Sequence, residues 1–166
     1  MATTNFLKTH LSPQYQHLNA IQTQINYLQL LGVEGAYVAG SAAAYFITSH
    51  FSSPYCRPGW SPNDIDIFCI TPNAWHVVRE KLGKISVCTQ EETHYSMGSY
   101  ELSPSSGSLR IQVIDARKYN DIDSLLDTFP ATVAQFALHL SNSEATYCEN
   151  GLQHVEGCLL HCADHT

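Results

Sequence analysis

A pair of aspartates at the mouth of an otherwise apolar strand constrains this chain most. Asn63-Asp64-Ile65-Asp66 opens a run that reads as a strand from Asp64 to Thr71. Strand residues i and i+2 point to one face, so Asp64 and Asp66 present two carboxylates side by side. Like charges that close resist ionising unless a cation lies between them. Mg²⁺ suits such a place, because it prefers oxygen ligands and is commonly held by one or two carboxylates together with substrate phosphates. Upstream, the short strand Ala36-Tyr37-Val38-Ala39 runs into Gly40-Ser41 and a small-residue helix from Ala42 to Ser49. A glycine at such a junction lets backbone approach a phosphate, and the N–H groups of the helix start bind the anion. Each half alone has a simpler reading, Gly40-Ser41 as an N-cap and Asn63-Asp64 as a solvated turn. In this order and spacing they read together as a phosphate and metal pocket.

The remaining elements frame that pocket. Residues 1–13 are expected to form a polar arm or a short helix. From Pro13 to Leu31 the apolar residues Tyr15, Leu18, Ile21, Ile25, Leu28 and Leu31 recur at spacings of three and four, which predicts an amphipathic helix. Its other face carries Gln14, Gln16, Gln22, Gln24 and Gln29 and almost no charge, either as a solvated face or as a protein-partner surface. Residues 51–63 hold three Pro and one Gly and form a loop. Thr71 can cap and Pro72 can start a helix to about Leu82, with Gly83 as its stop. Ile85 to Thr89 reads as a strand, and Ser99 to Leu102 with Leu109 to Ile114 as a hairpin. In the second hairpin strand Leu109, Ile111 and Val113 face one way, and Arg110, Gln112 and Ile114 the other. Ile122 to Leu126 reads as a short helix. Ala131 to Leu140 reads as a strand, favoured over a buried helix by its Thr, Val and Phe content. Thr146 to Val155 reads as a last hairpin turning at Glu149-Asn150-Gly151.

The 166 residues suit one domain, with a core over about 14–140 and a Cys/His-rich C-terminal extension over 141–166. The net charge of −7, with only 8 Lys and Arg, argues against a broad surface for long nucleic acid. Arg79, Lys81, Lys84, Arg110, Arg117 and Lys118 supply most of the cations. No apolar run reaches the length of a membrane span, and the N-terminus has no apolar core of signal-peptide length. A cytoplasmic protein is expected, of its own cell or of a host's, with its six Cys as free thiols.

The segments VAGSAAAYF, PNDIDIFC, RIQVI and, more loosely, FPATVAQFAL together resemble the polymerase-β-like nucleotidyltransferase superfamily. The wording is similar to that of small nucleotidyltransferase-like proteins of large DNA viruses and phages. These segments span roughly residues 36 to 140. The resemblance implies an α/β (α+β) fold, a mixed sheet flanked by helices, here with an N-terminal helix added. It further implies two Mg²⁺ ions and transfer of a nucleoside monophosphate from a nucleoside triphosphate to an acceptor. Gly40 and Ser41 would hold the triphosphate, and Asp64 and Asp66 the metals. The superfamily adds a third carboxylate from a neighbouring strand. Asp115, at the end of the LRIQVI strand, is the favoured candidate for that third catalytic and metal-binding position. The other location is Phe129-Pro130, where the family pattern has Phe-Asp and Pro130 cannot ligate metal. A missing third ligand would make this a catalytically degenerate fold that serves as a protein-binding or inhibitory viral factor. The acidic balance favours a small-molecule or protein acceptor over a long nucleic acid, with a tRNA end left open.

Two further clusters bear on ligands. In a family-like fold the loop holding Tyr55, Arg57 and Trp60 lies over the site, where Arg57 would bind phosphate and an aromatic ring would stack on the base. The competing reading folds the loop on itself around Trp60. At the C-terminus, His154, Cys158, His161, Cys162 and His165 form a candidate Zn²⁺ set. Their spacing matches no finger signature, and apolar docking of Cys158, Leu159, Leu160 and Cys162 is preferred to zinc.

Overall fold

The computed structural model describes residues 5–12, 19–51, 61–85, 87–92, 96–101 and 109–156. Its elements in chain order are β1 (Leu7–His10), α1 (Ala20–Gln29), β2 (Ala36–Ala39), α2 (Ser41–Phe51), β3 (Asp64–Cys69), α3 (Pro72–Ile85), β4 (Val87–Glu92), β5 (Ser96–Glu101), β6 (Arg110–Asp115), α4 (Ile122–Leu126), β7 (Phe136–His139), β8 (Glu144–Tyr147) and α5 (Glu149–Glu156). The strands form one eight-stranded sheet in the order β1-β8-β7-β2-β3-β6-β5-β4. The β3–β6 pair is parallel, and every other pair is antiparallel. The sheet is therefore mixed and flanked by helices, as the resemblance implies.

Strand alternation divides the molecule into two unequal layers. One face presents Val38, Ile65, Ile67, Ile111, Val113 and Leu138, all fully buried. Against it pack Ile25 and Leu28 of α1, Phe46 and Ile47 of α2, and Val78 and Leu82 of α3. The opposite face carries Tyr37, Ala39, Phe68 and Ala137, covered by Ile122, Leu125 and Leu126 of the short α4. Asp64, Asp66 and Gln112 share the parity of this second face. The thin cover leaves room for polar side chains that the first face cannot accept.

Local chemistry fixes the helix starts. Asn19 caps α1 with its Oδ1, accepting from Gln22 N, while Gln22 Oε1 accepts from Asn19 N, a reciprocal capping box. Thr71 Oγ1 accepts from Ala74 N at 3.1 Å and starts α3, with Pro72 in its first turn as expected. Asp121 caps α4 through Ser124 N at 2.8 Å.

Several expectations require correction. The N-terminal segment includes a strand and not a helix: β1 pairs with β8, and Lys8 Nζ donates to Asp123 Oδ1 at 2.8 Å. Helix α1 starts at Ala20, with residues 13–18 outside the described residues. Of its glutamine face, Gln14 and Gln16 lie outside the described residues, and Gln22, Gln24 and Gln29 are tied to other parts of the fold and not to solvent alone. Gln22 and Gln24 are buried, and Gln22 Nε2 donates to Ser49 Oγ. Gln24 pairs with both backbone groups of Leu109, donating to its O and accepting from its N. Gln29 Nε2 donates to Ser143 Oγ. The large apolar residues exposed on α1 and at its C-cap are Tyr27 and Leu30, at 45% and 81%. Gly83 does not end α3, which continues to Ile85, so the next strand begins at Val87. Residues 132–134 form a 3₁₀ turn, and only Phe136–His139 of the expected strand is extended. The final hairpin is replaced by β8 followed by α5. Residues 144–156 thus supply a strand inside the sheet and a helix packed on it. Among the described residues, no helix is long and apolar enough to cross a membrane.

Two glycines separate packing from backbone freedom. A Cβ on Gly151 would meet Thr132 O at 2.7 Å and Cys148 Sγ at 3.0 Å, so α5 can seat on the 3₁₀ turn only without a side chain there. A Cβ on Gly83 would meet nothing within 4 Å. Gly151→Ala is expected to destabilise the protein by about 1–3 kcal/mol through overpacking. Gly83→Ala should stabilise it by up to about 1 kcal/mol through helix propensity. Urea unfolding of both variants checks the pair, and equal shifts would refute this account.

Candidate functional site at the start of strand β3

The register of β3 assembles the site. Ala39, the last residue of β2, lies opposite Asp66, and the two strands are antiparallel. The turn at Gly40-Ser41 therefore leaves the sheet at the end where β3 begins with Asp64. Gly40 has φ 87, in the region that favours glycine, and its N donates to Phe136 O at 3.0 Å. Helix α2 starts at Ser41 at once, and its first-turn N–H groups lack partners within the helix. The two halves of the pocket expected from the sequence thus meet at one end of the sheet.

On its other side β3 pairs in parallel with β6, placing Asp64 opposite Arg110 and Asp66 opposite Gln112. Neighbouring strands lie about 4.8 Å apart. Gln112 is the β6 residue beside Asp66 and shares its face. Asp115 pairs with Cys69, three residues further along, or about 10 Å at the usual strand rise. It also has the parity of buried Val113, the helix-bearing side. Asp115 is held there by Arg117, which donates Nη2 to Oδ2 at 2.6 Å and Nε to Oδ1 at 2.9 Å. That pairing keeps its carboxyl below the usual carboxylate range. Asp115 is therefore not brought to the aspartate pair, and Gln112 takes the flanking position. Counting register from a parallel β3–β6 pair would have found Gln112, but nothing in the sequence states which strands pair.

The segment around Pro130 does approach the site, with an aromatic and not a carboxylate. Phe129 lies 3.8 Å from where a Gly40 Cβ would stand, and its ring meets Phe68 at 5.7 Å between centroids. Pro130 is exposed, and Asp127 is the C-cap of α4. Buried Gln135 holds this connection, donating Nε2 to Leu126 O at 3.1 Å.

Asp66 is the electrostatic anomaly. Its Oδ1 is buried and has no hydrogen-bond partner among the described residues. Burial, and then the charge of Asp64, push its carboxyl up to about 6. A buried, unpartnered carboxylate oxygen beside a second carboxylate is the donor set a hard divalent cation needs. The residues therefore fit Mg²⁺, which Asp64 and Asp66 would hold. Among the described residues no group of three or more His, Cys, Asp or Glu side chains is placed to hold a metal.

Other expected ligands fall elsewhere. Tyr55, Arg57 and Trp60 lie outside the described residues, as do Cys158, His161, Cys162 and His165. His154 sits on α5 with Nδ1 2.7 Å from Thr132 Oγ1, a contact that ties α5 to the 3₁₀ turn. A cavity of about 430 Å³ lies on the helix-bearing side, lined by residues that include Tyr27, Leu30, Phe46 and His50. The described residues of its lining include no carboxylate, and burial lowers the His50 pKa.

The raised Asp66 pKa has a stability consequence. The native state holds this proton more tightly than the unfolded chain, so the contribution is full below about pH 4 and lost as pH rises through 6. Asp66→Asn is expected to stabilise the metal-free protein by about 3 kcal/mol at pH 7.5. The gain should shrink towards zero by pH 4. Denaturant unfolding at both pH values measures it; a pH-independent difference would contradict the assignment.

Comparison with solved structures supports the fold. An apo CCA-adding enzyme superposes with a TM-score of 0.60 and 17% identity, over 86% of this chain and 33% of its own. The CCA-adding enzyme in complex with CTP gives 0.58 and 17%, over 87% and 36%. The Thermotoga maritima CCA-adding enzyme complexed with tRNA gives 0.57 and 18%, over 90% and 34%. The chain spans about a third of the length of these enzymes. At this identity the likeness is one of fold, a mixed sheet of the nucleotidyltransferase type. No curated protein matches the chain by sequence. A family model does match, over residues 11–157, which include every described element from α1 to α5. The chain therefore belongs to the Gabija anti-defense 2 (Gad2) family.

Proposed function

We propose that this protein acts against the Gabija defence as a metal-dependent nucleotidyltransferase with its site at the start of β3. The observation that carries the reading is the orphaned Asp66 Oδ1, beside Asp64 and at the sheet end where Gly40-Ser41 opens α2. Asp64 and Asp66 hold the cation, which when bound neutralises triphosphate charge. The Gly40-Ser41 turn and the first N–H groups of α2 orient the phosphates. In the transfer an acceptor oxygen forms a bond to the α-phosphorus. The bond from that phosphorus to the bridging oxygen breaks, pyrophosphate leaves with the electron pair, and the acceptor's proton passes to solvent. The acidic chain favours a protein or small-molecule acceptor, and a viral or phage origin agrees with an anti-defence role.

A second reading has a specific observation behind it. The side chain across from Asp66 is the neutral amide of Gln112, which can neither bridge a second ion as a carboxylate does nor accept the acceptor's proton. On that reading the pocket binds a nucleotide without transferring it, and the fold inhibits by binding.

Calorimetry with each nucleoside triphosphate, with and without Mg²⁺, tests the shared part. Binding should require Mg²⁺ and be lost in the double variant Asp64→Ala, Asp66→Ala. Absence of nucleotide binding by the unaltered protein would end both readings. Label transfer from an α-³²P nucleotide to protein or small acceptors separates them. Relief of Gabija protection in cells expressing the chain, abolished by the same double variant, links the pocket to the family's role.

A further inference from the structure

We propose that Gln112, together with Arg110, limits this pocket to one divalent cation per bound nucleoside triphosphate. The inference rests on the nucleotide reading above and concerns what the pocket holds. Two ions 3.5–4 Å apart need a carboxylate that bridges them and further anionic ligands for each. Asp64 and Asp66 stand on consecutive same-face positions of one strand, so their Cα atoms are about 6.6 Å apart. The next anionic ligand has to come from a strand beside β3. On the β2 side, the residue opposite Asp66 is Ala39, which has no donor atom in its side chain. On the β6 side, the residues opposite Asp66 and Asp64 are Gln112 and Arg110.

Neither β6 residue suits a second ion. An amide offers one neutral carbonyl oxygen and an NH₂ group whose hydrogens repel a cation. Arg110, opposite Asp64 in register, brings a permanent positive charge and no anionic ligand to this flank. The amide NH₂ of Gln112 suits a phosphate oxygen instead. The carboxylate that β6 does carry, Asp115, is on the other parity, further along the strand and bidentate with Arg117. The β6 flank of the aspartate pair thus supplies no anionic ligand, and the pair itself serves one cation.

Counting bound Mn²⁺ by electron paramagnetic resonance tests this without reference to turnover. The full-length protein is titrated with Mn²⁺ in the presence of a non-hydrolysable nucleoside triphosphate. One protein-bound ion per chain is expected for the unaltered protein and for Gln112→Ala. Two are expected for Gln112→Asp and for Gln112→Glu, with the dipolar broadening of a close Mn²⁺ pair. Two ions on the unaltered protein would overturn the proposal while leaving the nucleotide reading intact. A single ion on both acidic variants, with nucleotide binding retained, would overturn the role given to Gln112. No Mn²⁺–nucleotide binding by the unaltered protein would overturn the proposal together with the nucleotide reading.

Discussion

The placement of β3 between an antiparallel and a parallel neighbour is the constraint on which the rest of the structure depends. Its antiparallel pairing with β2 sets the Gly40-Ser41 turn at the sheet end where Asp64 begins β3. Its parallel pairing with β6 decides which side chains flank the aspartates. A slip of one residue in either pairing would turn Ile65 and Ile67 away from the core and bury the carboxylates among α1, α2 and α3. The apolar residues of β3 therefore hold the polar ones in place. Burial of Ile65, Ile67 and Cys69 fixes the register, and the register presents Asp64 and Asp66 on the thinly covered face.

The helix-bearing face shows a second use of polar groups. Gln22, Gln24 and Gln29 make α1 part of the sheet's support and not a free amphipathic helix. The Gln24 amide takes up both backbone groups of Leu109, the residue just before β6, as a neighbouring strand would. An amide can do this because it both donates and accepts without the desolvation cost of a charge. Gln29 meets Ser143, the non-glycine residue with positive φ in the turn between β7 and β8. These contacts join α1 to the start of β6, the strand that carries Gln112, and to the turn that brings β8 into the sheet.

How much of this was legible in the sequence depended on whether the signal was local. Strands β2 and β3, helix α2 and the cap of α3 follow from alternation, small residues and the Thr71-Pro72 pair, all within a few residues of one another. Gly151 and Gly83 show the limit of that logic. Both look like punctuation, yet Gly83 is an exposed residue within α3, and Gly151 is small because Thr132 O and Cys148 Sγ crowd it. The glutamines misled for the same reason: uncharged polar residues on one helix face read as solvated until partners from distant segments close on them.

The sequence by itself determined that two carboxylates share a strand face and that a Gly-Ser turn precedes a helix, and its resemblance to the nucleotidyltransferases implied the mixed fold that holds them. The first two properties depend on spacings of one to four residues, which the chain states outright. Only the tertiary structure decided what flanks the pair. Asp115 and Gln112 stand three residues apart on one strand, one at the end of the LRIQVI run and the other inside it. Choosing between them requires the strand partner, its direction and its register. Those depend on the summed burial of both sheet faces, which joins segments far apart in the chain.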